Sequence, residues 1–506
     1  MSRGELSGAV RVGFLGAGHI ATYHSKSIRR AESDLDFEVV RAGVHDTDRE
    51  RAENFAAASG HTVMDSVDDV LASCDAVYIC TWTSEHRSLV EAAVRAGKSV
   101  FCEKPLATTL ADAVAITELL RTTNTINQVG LVLRHSPAYL MVRHLIDDES
   151  AGRVMSVVFR DDQFIPTQGH YASTWRSDAT KAGAGTLLEH SIHDVDMLHA
   201  LIGPIRSVSA RQSNFHGHTG IEDVVATTFA FATEDLAASP QGVLTSVWHD
   251  NLARPSLRRV EVLCERRFIS IDGDDWFGPV SWTDSDGTTR SMKGPELESA
   301  TRDLVVGDPN PDAAFLRAVR RGVAAHPDAS VALEAHRVVD AMYRSARRDG
   351  TNVVVGAPTL AVRTVTAEDV RPLRLDVLRR GMTNRTIDFD GDDEPTTVHL
   401  AAFDASGGIV GVSTWMRRDC ADHPSRKAVQ LRGMATARHQ QGSGIGAELL
   451  AAGVAWARDH GMEVVWANAR DAALDFYVRN GFGVVGEGFV ETVTNLPHHR
   501  VILALT

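Results

Sequence analysis

The sequence predicts a multidomain protein of α/β and α+β class: a doubly wound parallel sheet, then an open, mostly antiparallel sheet in an α+β domain, then a separate, smaller α/β domain. Three observations carry that reading. Up to about residue 130, short apolar stretches alternate with helical ones, the grammar of a parallel sheet with helices on its faces. Beyond Gly152 the strand-like stretches lengthen and alternate apolar with polar residues, as an antiparallel sheet with one open face requires. Asp349-Gly350 and Gly356-Ala357-Pro358 then punctuate the chain before a new strand–helix unit starts at Leu360. The expected boundaries are residues 1–130, 131–350, a linker at 351–359, and 360–506.

In the first domain, strands are expected at 10–15, 39–44, 76–81, 99–102 and 125–129, with helices at 86–96 and 110–121. In the second, strands fall at 154–160, 205–211, 224–232, 242–248, 260–264 and 267–272. One helix at 186–202 interrupts them, and helices at 312–321 and 330–348 close the domain. The third carries a strand at 429–434, a helix at 447–460 and a last strand at 501–505.

Composition narrows the function classes. Lys plus Arg number 52 against 66 Asp plus Glu, a net charge of −14. Such a surface repels phosphate backbones, so neither nucleic acid nor an anionic membrane is an expected partner. No apolar run reaches the roughly 18–20 residues that span a bilayer, and the polar first nine residues lack the apolar core of a signal peptide. The five cysteines form no CxxC pair and are odd in number, which speaks against a disulfide framework. A cytoplasmic enzyme acting on small molecules is the expectation.

Strand 10–15 runs into Gly16-Ala17-Gly18-His19-Ile20-Ala21, a GxGxxA turn that opens a helix. Gly16 permits the tight turn, Gly18 lets backbone approach a pyrophosphate, and Ala21 lets helix and strand pack. The helix N-terminus offers N–H donors to the phosphates. Asp46 follows the second strand; a carboxylate there accepts both ribose hydroxyls and repels a 2′-phosphate, which favours NAD over NADP.

The strand at 99–102 ends on Glu103-Lys104-Pro105, at the edge of the sheet that faces a ligand crevice. With Gly16-Ala17-Gly18, Asp75 to Ile79, Thr81, His86, Trp175-Arg176, Gly183-Ala184-Gly185 and His193 with Asp196, this resembles the Gfo/Idh/MocA family of NAD(P)-dependent oxidoreductases over about residues 8–355. The resemblance implies a Rossmann domain followed by a substrate-carrying open sheet, and a homodimer or tetramer built through that sheet. It implies that Lys104 polarises the substrate oxygen and that His193 exchanges its proton, with Glu189 in place of the family's usual aspartate. At i and i+4 on one expected helix, Glu189 and His193 share a face. Thr81, His86, Glu103 and Arg134 are candidate cofactor contacts. Tyr171, Trp175, Arg176, His190 and His249 are candidate substrate contacts, in a polar and aromatic setting that suits a carbohydrate. A metal reading of Glu189, His190, His193, Asp194 and His199 is the lesser one, because no second cluster with ligand spacing accompanies them.

Near the end, Gln441-Gly442-Ser443-Gly444-Ile445-Gly446 joins a strand to a helix, another nest of backbone donors suited to a pyrophosphate. No Gly-Lys-Ser/Thr follows, so it is not a Walker loop. With Asp475-Phe476-Tyr477 to Phe482, the loop resembles the acetyl-CoA loop of GNAT-family N-acetyltransferases over about residues 360–506. Residues 373–381, His399 and Asn495 to His498 are similar to the ElaA-type subgroup. The resemblance implies acetyl-CoA as co-substrate and an amine acceptor. Met434 to Thr436 would align the pantetheine, and Tyr477 would protonate the departing thiolate. Glu491, His498 and His499 are candidate bases. The expected function is bifunctional: an NAD-dependent dehydrogenase or reductase of a sugar, sugar nucleotide or cyclitol, joined to an N-acetyltransferase. The alternatives are one active domain gated by a cofactor-sensing neighbour, or an imine or ketone reductase.

Overall fold

Six short strands open the chain in the computed structural model: β1 (Val10–Leu15), β2 (Val39–His45), β3 (Thr62–Val63), β4 (Ala76–Ile79), β5 (Ser99–Cys102) and β6 (Asn127–Val129). All pair in parallel, in the order β3-β2-β1-β4-β5-β6. Their apolar runs are explained by burial on both faces. Leu15, Val77, Ile79 and Val100 pack to one side, Phe14, Tyr78 and Phe101 to the other. Strand order switches direction at β1, which places a ligand crevice at the carboxyl ends of β1, β2 and β4. The structure describes residues 6 and 8–505, apart from 170–171, 234, 254–255, 275, 305–307, 357–360, 383, 404–407, 442–444 and 493.

A second sheet follows: β7 (Val154–Phe164), β8 (Ile205–Ser213), β9 (Val224–Phe231), β10 (Gln241–His249), β11 (Leu257–Cys264), β12 (Arg267–Asp274), β13 (Gly278–Asp284), β14 (Thr289–Met292) and β15 (Val353–Val354). Its order is β14-β13-β12-β11-β7-β10-β9-β8-β15. Its neighbours run antiparallel except β10 and β7, which are parallel. Strand β15 pairs with Ser207 and Val208 of β8, so residues 353–354, expected in a linker, belong to this sheet. Helix Ala329–Ala346 ties the two sheets together. Its Leu333 packs under the first, while Val338, Val339 and Met342 pack under the second; each such side chain contributes about 1.5–3 kcal/mol on full burial. Residues 1–355 form one unit.

The expected helix at 186–202 is two helices, Thr186–Glu189 and Ile192–Leu201. The N–H groups of His190 and Ser191 both donate to Thr186 O. The Ser191 hydroxyl is drawn to Asp161 on β7 and Ser246 on β10, so the chain breaks to serve the sheet. Glu189 and His193 therefore do not share one continuous helix face.

Beneath the first sheet's crevice lies a buried cation between two carboxylates. His24, with 0% exposure, meets Asp312 at 2.7 Å through Nδ1 and Glu103 at 2.8 Å through Nε2. Burial alone would push His24 down, but Asp312 and Glu103 outweigh it and raise it to about 10. Because the folded value is raised, the stabilisation is complete below the unfolded value of about 6.5 and is lost as pH rises through about 10. We expect the melting temperature of residues 1–355 to fall across that window. His24→Gln should remove this slope and cost about 3–5 kcal/mol; thermal melting against pH checks both.

Residues 356–506 form the second unit. Its strands are β16 (Ala361–Val365), β17 (Val398–Phe403), β18 (Ile409–Arg417), β19 (Ala428–Thr436), β20 (Val464–Arg470), β21 (Gly483–Glu491) and β22 (Leu496–Ala504), in the order β16-β17-β18-β19-β20-β22-β21. Only β19 and β20 are parallel, and they pair only over Ala428–Gln430 and Val464–Trp466. Beyond that, β19 stays on β18 as far as Thr436 while β20 follows β22 to Arg470. The strands part, and one edge of β19 is left without β20 beside it. Helix Ile445–Asp459 covers one face, with Leu400 and Ala402. Helix Ala367–Leu378 covers the other, with Ala401 and Val412.

Candidate active sites

The first site is built on the glycine turn. Gly16 has φ +88°, and a Cβ there would lie 2.6 Å from Cys80 O, so only glycine fits. At Gly18 a Cβ would meet nothing within 4 Å. This open space lies before helix His19–Ala31, whose first turn, with His19 and Ile20, has no side-chain cap. A helix start without a side-chain cap is a place where backbone donors can meet an anion. Asp46 sits at the end of β2. Its Oδ2 accepts from Ala17 N at 2.8 Å and its Oδ1 from Asp48 N at 2.9 Å, with Arg51 Nη1 at 3.3 Å. Uncapped donors beside an oriented carboxylate fit a dinucleotide's pyrophosphate and ribose.

At the end of β5, Lys104 Nζ donates to Glu189 O at 2.7 Å, so the lysine spans from the first sheet to the second domain's helices. Its turn is braced from below. His86, 1% exposed, donates from Nδ1 to Pro105 O at 2.9 Å, and Glu103 Oε2 accepts from Lys104 N at 3.1 Å while Oε1 faces His24. A Cβ at Gly130 would lie 2.2 Å from Glu103 Oε1. Glu103 and His86, expected to touch cofactor, are turned inward and hold Lys104 in place. Arg134, also expected there, gives Asp196 hydrogen bonds of 2.7, 2.9 and 3.0 Å. Asp196 is 1% exposed, which anchors the helix that carries His193. The Thr81 hydroxyl donates to Trp82 O at 3.3 Å.

His193 lies on helix Ile192–Leu201 with its Nδ1 buried and unpartnered. Burial, then the positive charges of Lys104 and Arg258, push it well below the usual histidine value. Burial also lowers Lys104; Glu189 opposes this, and Arg176 adds to it. The Glu189 carboxylate leaves its Oε2 buried without a hydrogen-bond partner among the described residues. It accepts from Arg176 Nε at 2.7 Å, and Arg176 stacks on Trp175 at 4.5 Å. His190 Nε2 lies 2.8 Å from Asp161 Oδ2. His249 Nδ1 accepts from Asn251 N at 3.2 Å, and its Nε2 is 3.9 Å from Asp162. Tyr171 lies outside the described residues.

Two members of this cluster, Arg258 and Asp161, escaped the sequence reading, and a third, Asp194, entered it only as a candidate metal ligand. Arg258 Nε lies 3.0 Å from Asp194 Oδ1 and 3.5 Å from Asp161 Oδ2, and both acids are buried. Burial works against a charged Asp161, yet Arg258 and His190 hold it well below the usual carboxylate range. Burial and the Asp161 charge push Asp194 well above it. The two acids are thus driven apart, Asp161 toward its ionised form and Asp194 toward its protonated form. The sequence signal for the pair was Asp161-Asp162 near the end of strand Val154–Phe164. Among the described residues, no group of three or more His, Cys, Asp or Glu side chains is arranged to hold a metal ion.

The second site lies where β19 and β20 part. Met434 and Thr436 lie on the β19 segment beyond its pairing with β20, and Gln441 Nε2 donates to Thr436 O at 3.2 Å. Ile445 is buried at the start of its helix, and a Cβ at Gly446 would meet Phe476 at 3.3 Å and Met434 at 3.4 Å. The helix start, the open strand edge and the Tyr477 helix therefore converge. Gly442, Ser443 and Gly444 lie outside the described residues. Tyr477 packs against Phe476 and Phe482, and burial raises its hydroxyl to about 12, so it holds its proton at neutral pH. Of the candidate bases, Glu491 accepts from Thr494, His499 meets Asp471 at 2.8 Å, and His498 is buried against Phe489.

Comparison with known proteins follows this division. A family profile described as "Oxidoreductase family, NAD-binding Rossmann fold" matches residues 10–131, "GFO/IDH/MocA C-terminal domain" matches 139–270, and "Acetyltransferase (GNAT) family" matches 366–482. An inositol 2-dehydrogenase of Rhizobium meliloti (strain 1021) is 34% identical over 198 residues, 38% of this chain and 55% of that protein. A 1,5-anhydro-D-fructose reductase of Ensifer adhaerens is 32% identical over 184 residues, 35% of this chain and 54% of that protein. The chain thus spans little more than half the length of these curated relatives. Among solved structures, an oxidoreductase domain protein from Kribbella flavida superposes with TM-score 0.61 at 22% identity, over 69% of this chain and 100% of that one. Levoglucosan dehydrogenase in complex with NADH gives 0.60 at 21%, over 69% and 99%. By these matches the chain belongs to the Gfo/Idh/MocA oxidoreductase family over residues 10–131 and 139–270, and to the GNAT acetyltransferase family over residues 366–482.

Proposed function

We propose that the protein is a bifunctional enzyme: an NAD-dependent dehydrogenase of a secondary alcohol on a sugar, sugar nucleotide or cyclitol, and an acetyl-CoA-dependent N-acetyltransferase. The observation that carries the first half is Lys104 brought to Glu189 O beside a buried, neutral His193. Bound NAD supplies the hydride acceptor. Lys104 donates a hydrogen bond to the substrate oxygen, and neutral His193 takes the hydroxyl proton as the carbon gives up its hydride. Glu189 and Arg176 fix the lysine's surroundings, and Trp175, His190 and His249 are the proposed sugar contacts. A base already unprotonated at neutral pH favours oxidation over reduction of a ketone or imine. Asp46 supports NAD over NADP. The exposed Val243, Leu263 and Phe268 on the open face of the second sheet are the proposed seat of a dimer or tetramer.

The pH profile tests the proton assignment. With His193 pushed down, its base-competent form persists below the usual value of about 6.5, so kcat/KM for oxidation should stay level there and fall only at lower pH. With Lys104 pushed down, the alkaline fall should begin below its usual value of about 10.4. Rates across pH, for the wild type and His193→Gln, are the measurement. An acid limb unchanged in His193→Gln excludes this histidine as the base.

In the second half, the acceptor amine attacks the thioester carbonyl. A C–N bond forms, the C–S bond breaks, the nitrogen loses a proton to a base, and the departing sulfur takes the Tyr477 hydroxyl proton, which solvent restores. The open edge of β19 near Met434 and Thr436 supports the alignment of the acyl chain. A ketone made at the first site is prepared for transamination, and the resulting amine for acetylation at the second. Two steps of one reaction sequence explain the fusion.

A further inference from the structure

The unit at 356–506 holds two positive charges that the transfer step leaves unused. Arg379, 7% exposed, follows helix Ala367–Leu378. Arg470 ends β20, beyond Trp466, where that strand last pairs with β19. Arg379 Nη1 donates to Leu378 O at 3.2 Å and Arg470 Nη2 donates to the same oxygen at 3.0 Å. Two guanidinium groups converge on one carbonyl. Arg379 Nε donates to a further carbonyl, Thr386 O, at 2.7 Å. Among the described residues neither arginine forms an ion pair, whereas Arg371, Arg374 and Arg418 of the same unit meet Asp388, Asp392 and Asp390. Glu491, whose Oε2 accepts from Thr494 N and Oγ1 at 2.7 Å, is within electrostatic reach of both and is one negative charge against their two.

Holding a buried Arg379 and a half-buried Arg470 side by side against a single carboxylate leaves one positive charge uncompensated, which is costly unless a further anion arrives. Burial already lowers both groups, and Arg470 is lowered further by Arg379. A pair of planar forks matches the oxygens of a carboxylate or phosphate. The pair belongs to the face covered by helix Ala367–Leu378, opposite helix Ile445–Asp459, whose N-terminus suits the pyrophosphate of acetyl-CoA. The anion it awaits is therefore on the acceptor. We infer that the acetyl acceptor is an amine that also carries a carboxylate or phosphate, seated on Arg379 and Arg470 at the parting of β19 and β20. This rests on the transferase reading above.

The test uses the full chain saturated with acetyl-CoA, so that the coenzyme's own phosphate sites are filled. Inorganic phosphate and acetate, titrated by calorimetry, should each be examined; at least one should bind at one per chain, and Arg470→Gln and Arg379→Gln should each weaken it about 10-fold or more. Thiol release should then favour the phosphate monoester of glucosamine, or glucosaminic acid, over glucosamine by about 10²-fold. The stronger anion separates phosphate from carboxylate as the native group. In Arg470→Gln that preference should collapse through KM, with acetyl-CoA affinity and thermal melting as controls for folding. No anion binding to the acetyl-CoA complex, equal turnover of glucosamine and the anionic amines, or binding unaltered in both variants overturns the inference and leaves the transferase intact. Failure to bind acetyl-CoA at all removes the transferase reading itself.

Discussion

Lys104→Met should reduce hydride transfer by about 10³-fold or more, the scale of losing a polarising donor together with proton-transfer geometry, while NAD still binds. Methionine keeps most of the stem's volume and removes the ammonium, so the packing between β5 and the helix start at Glu189 survives. Among the described residues the lysine side chain's hydrogen bond is to Glu189 O alone. Losing it frees one carbonyl and leaves the bracing by His86 and Glu103 in place. The contrast to draw is with Glu103→Gln. That variant disturbs the buried His24 pair and should lower stability before it lowers the rate constant of the folded fraction. NAD affinity by fluorescence and NADH formation by absorbance separate the two. A Lys104→Met chain that melts like the wild type yet turns over at the wild-type rate removes the lysine from the chemistry.

Tyr477→Phe should slow acetyl transfer by about 10²–10⁴-fold, the usual worth of general-acid assistance, with little change in acetyl-CoA affinity. Phenylalanine preserves the edge-to-face contacts with Phe476 and Phe482 and removes only the hydroxyl. A hydroxyl that merely packs should cost no more than a hydrogen bond, about 1 kcal/mol of stability. Because burial raises the hydroxyl to about 12, the acid form persists through the whole working range, and no alkaline limb from Tyr477 is expected at moderate pH. Thiol release at saturating acetyl-CoA, with melting as control, decides it; an unchanged rate leaves water or His498 as the proton source.

Much of the fold was legible because its signals are local. The GxGxxA turn, the apolar strand before Glu103-Lys104-Pro105 and the loop before Ile445 each announce themselves within a few residues. What was hidden depends on distant partners. Helix 186–202 reads as continuous, and only Asp161 and Ser246, on two other strands, pull Ser191 out of it. Glu103, His86 and Arg134 carry the polarity expected of a crevice, but their partners, His24, Pro105 O and Asp196, turn them inward. Arg258 and Arg470 end up beside charges far away in sequence, which no spacing rule reports. The Val353–Val354 strand is too short to stand out from a linker without β8 beside it.

The most direct test of the account is one assay of the intact chain with a panel of cyclitols, sugars and sugar nucleotides. NADH formation and, with amine acceptors and acetyl-CoA, thiol release are followed in parallel on the wild type, Lys104→Met and Tyr477→Phe. The account predicts NADH formation that Lys104→Met alone abolishes and thiol release that Tyr477→Phe alone suppresses. Equal loss of both activities in either variant, or NADH formation untouched by Lys104→Met, would contradict two separate catalytic centres on this chain.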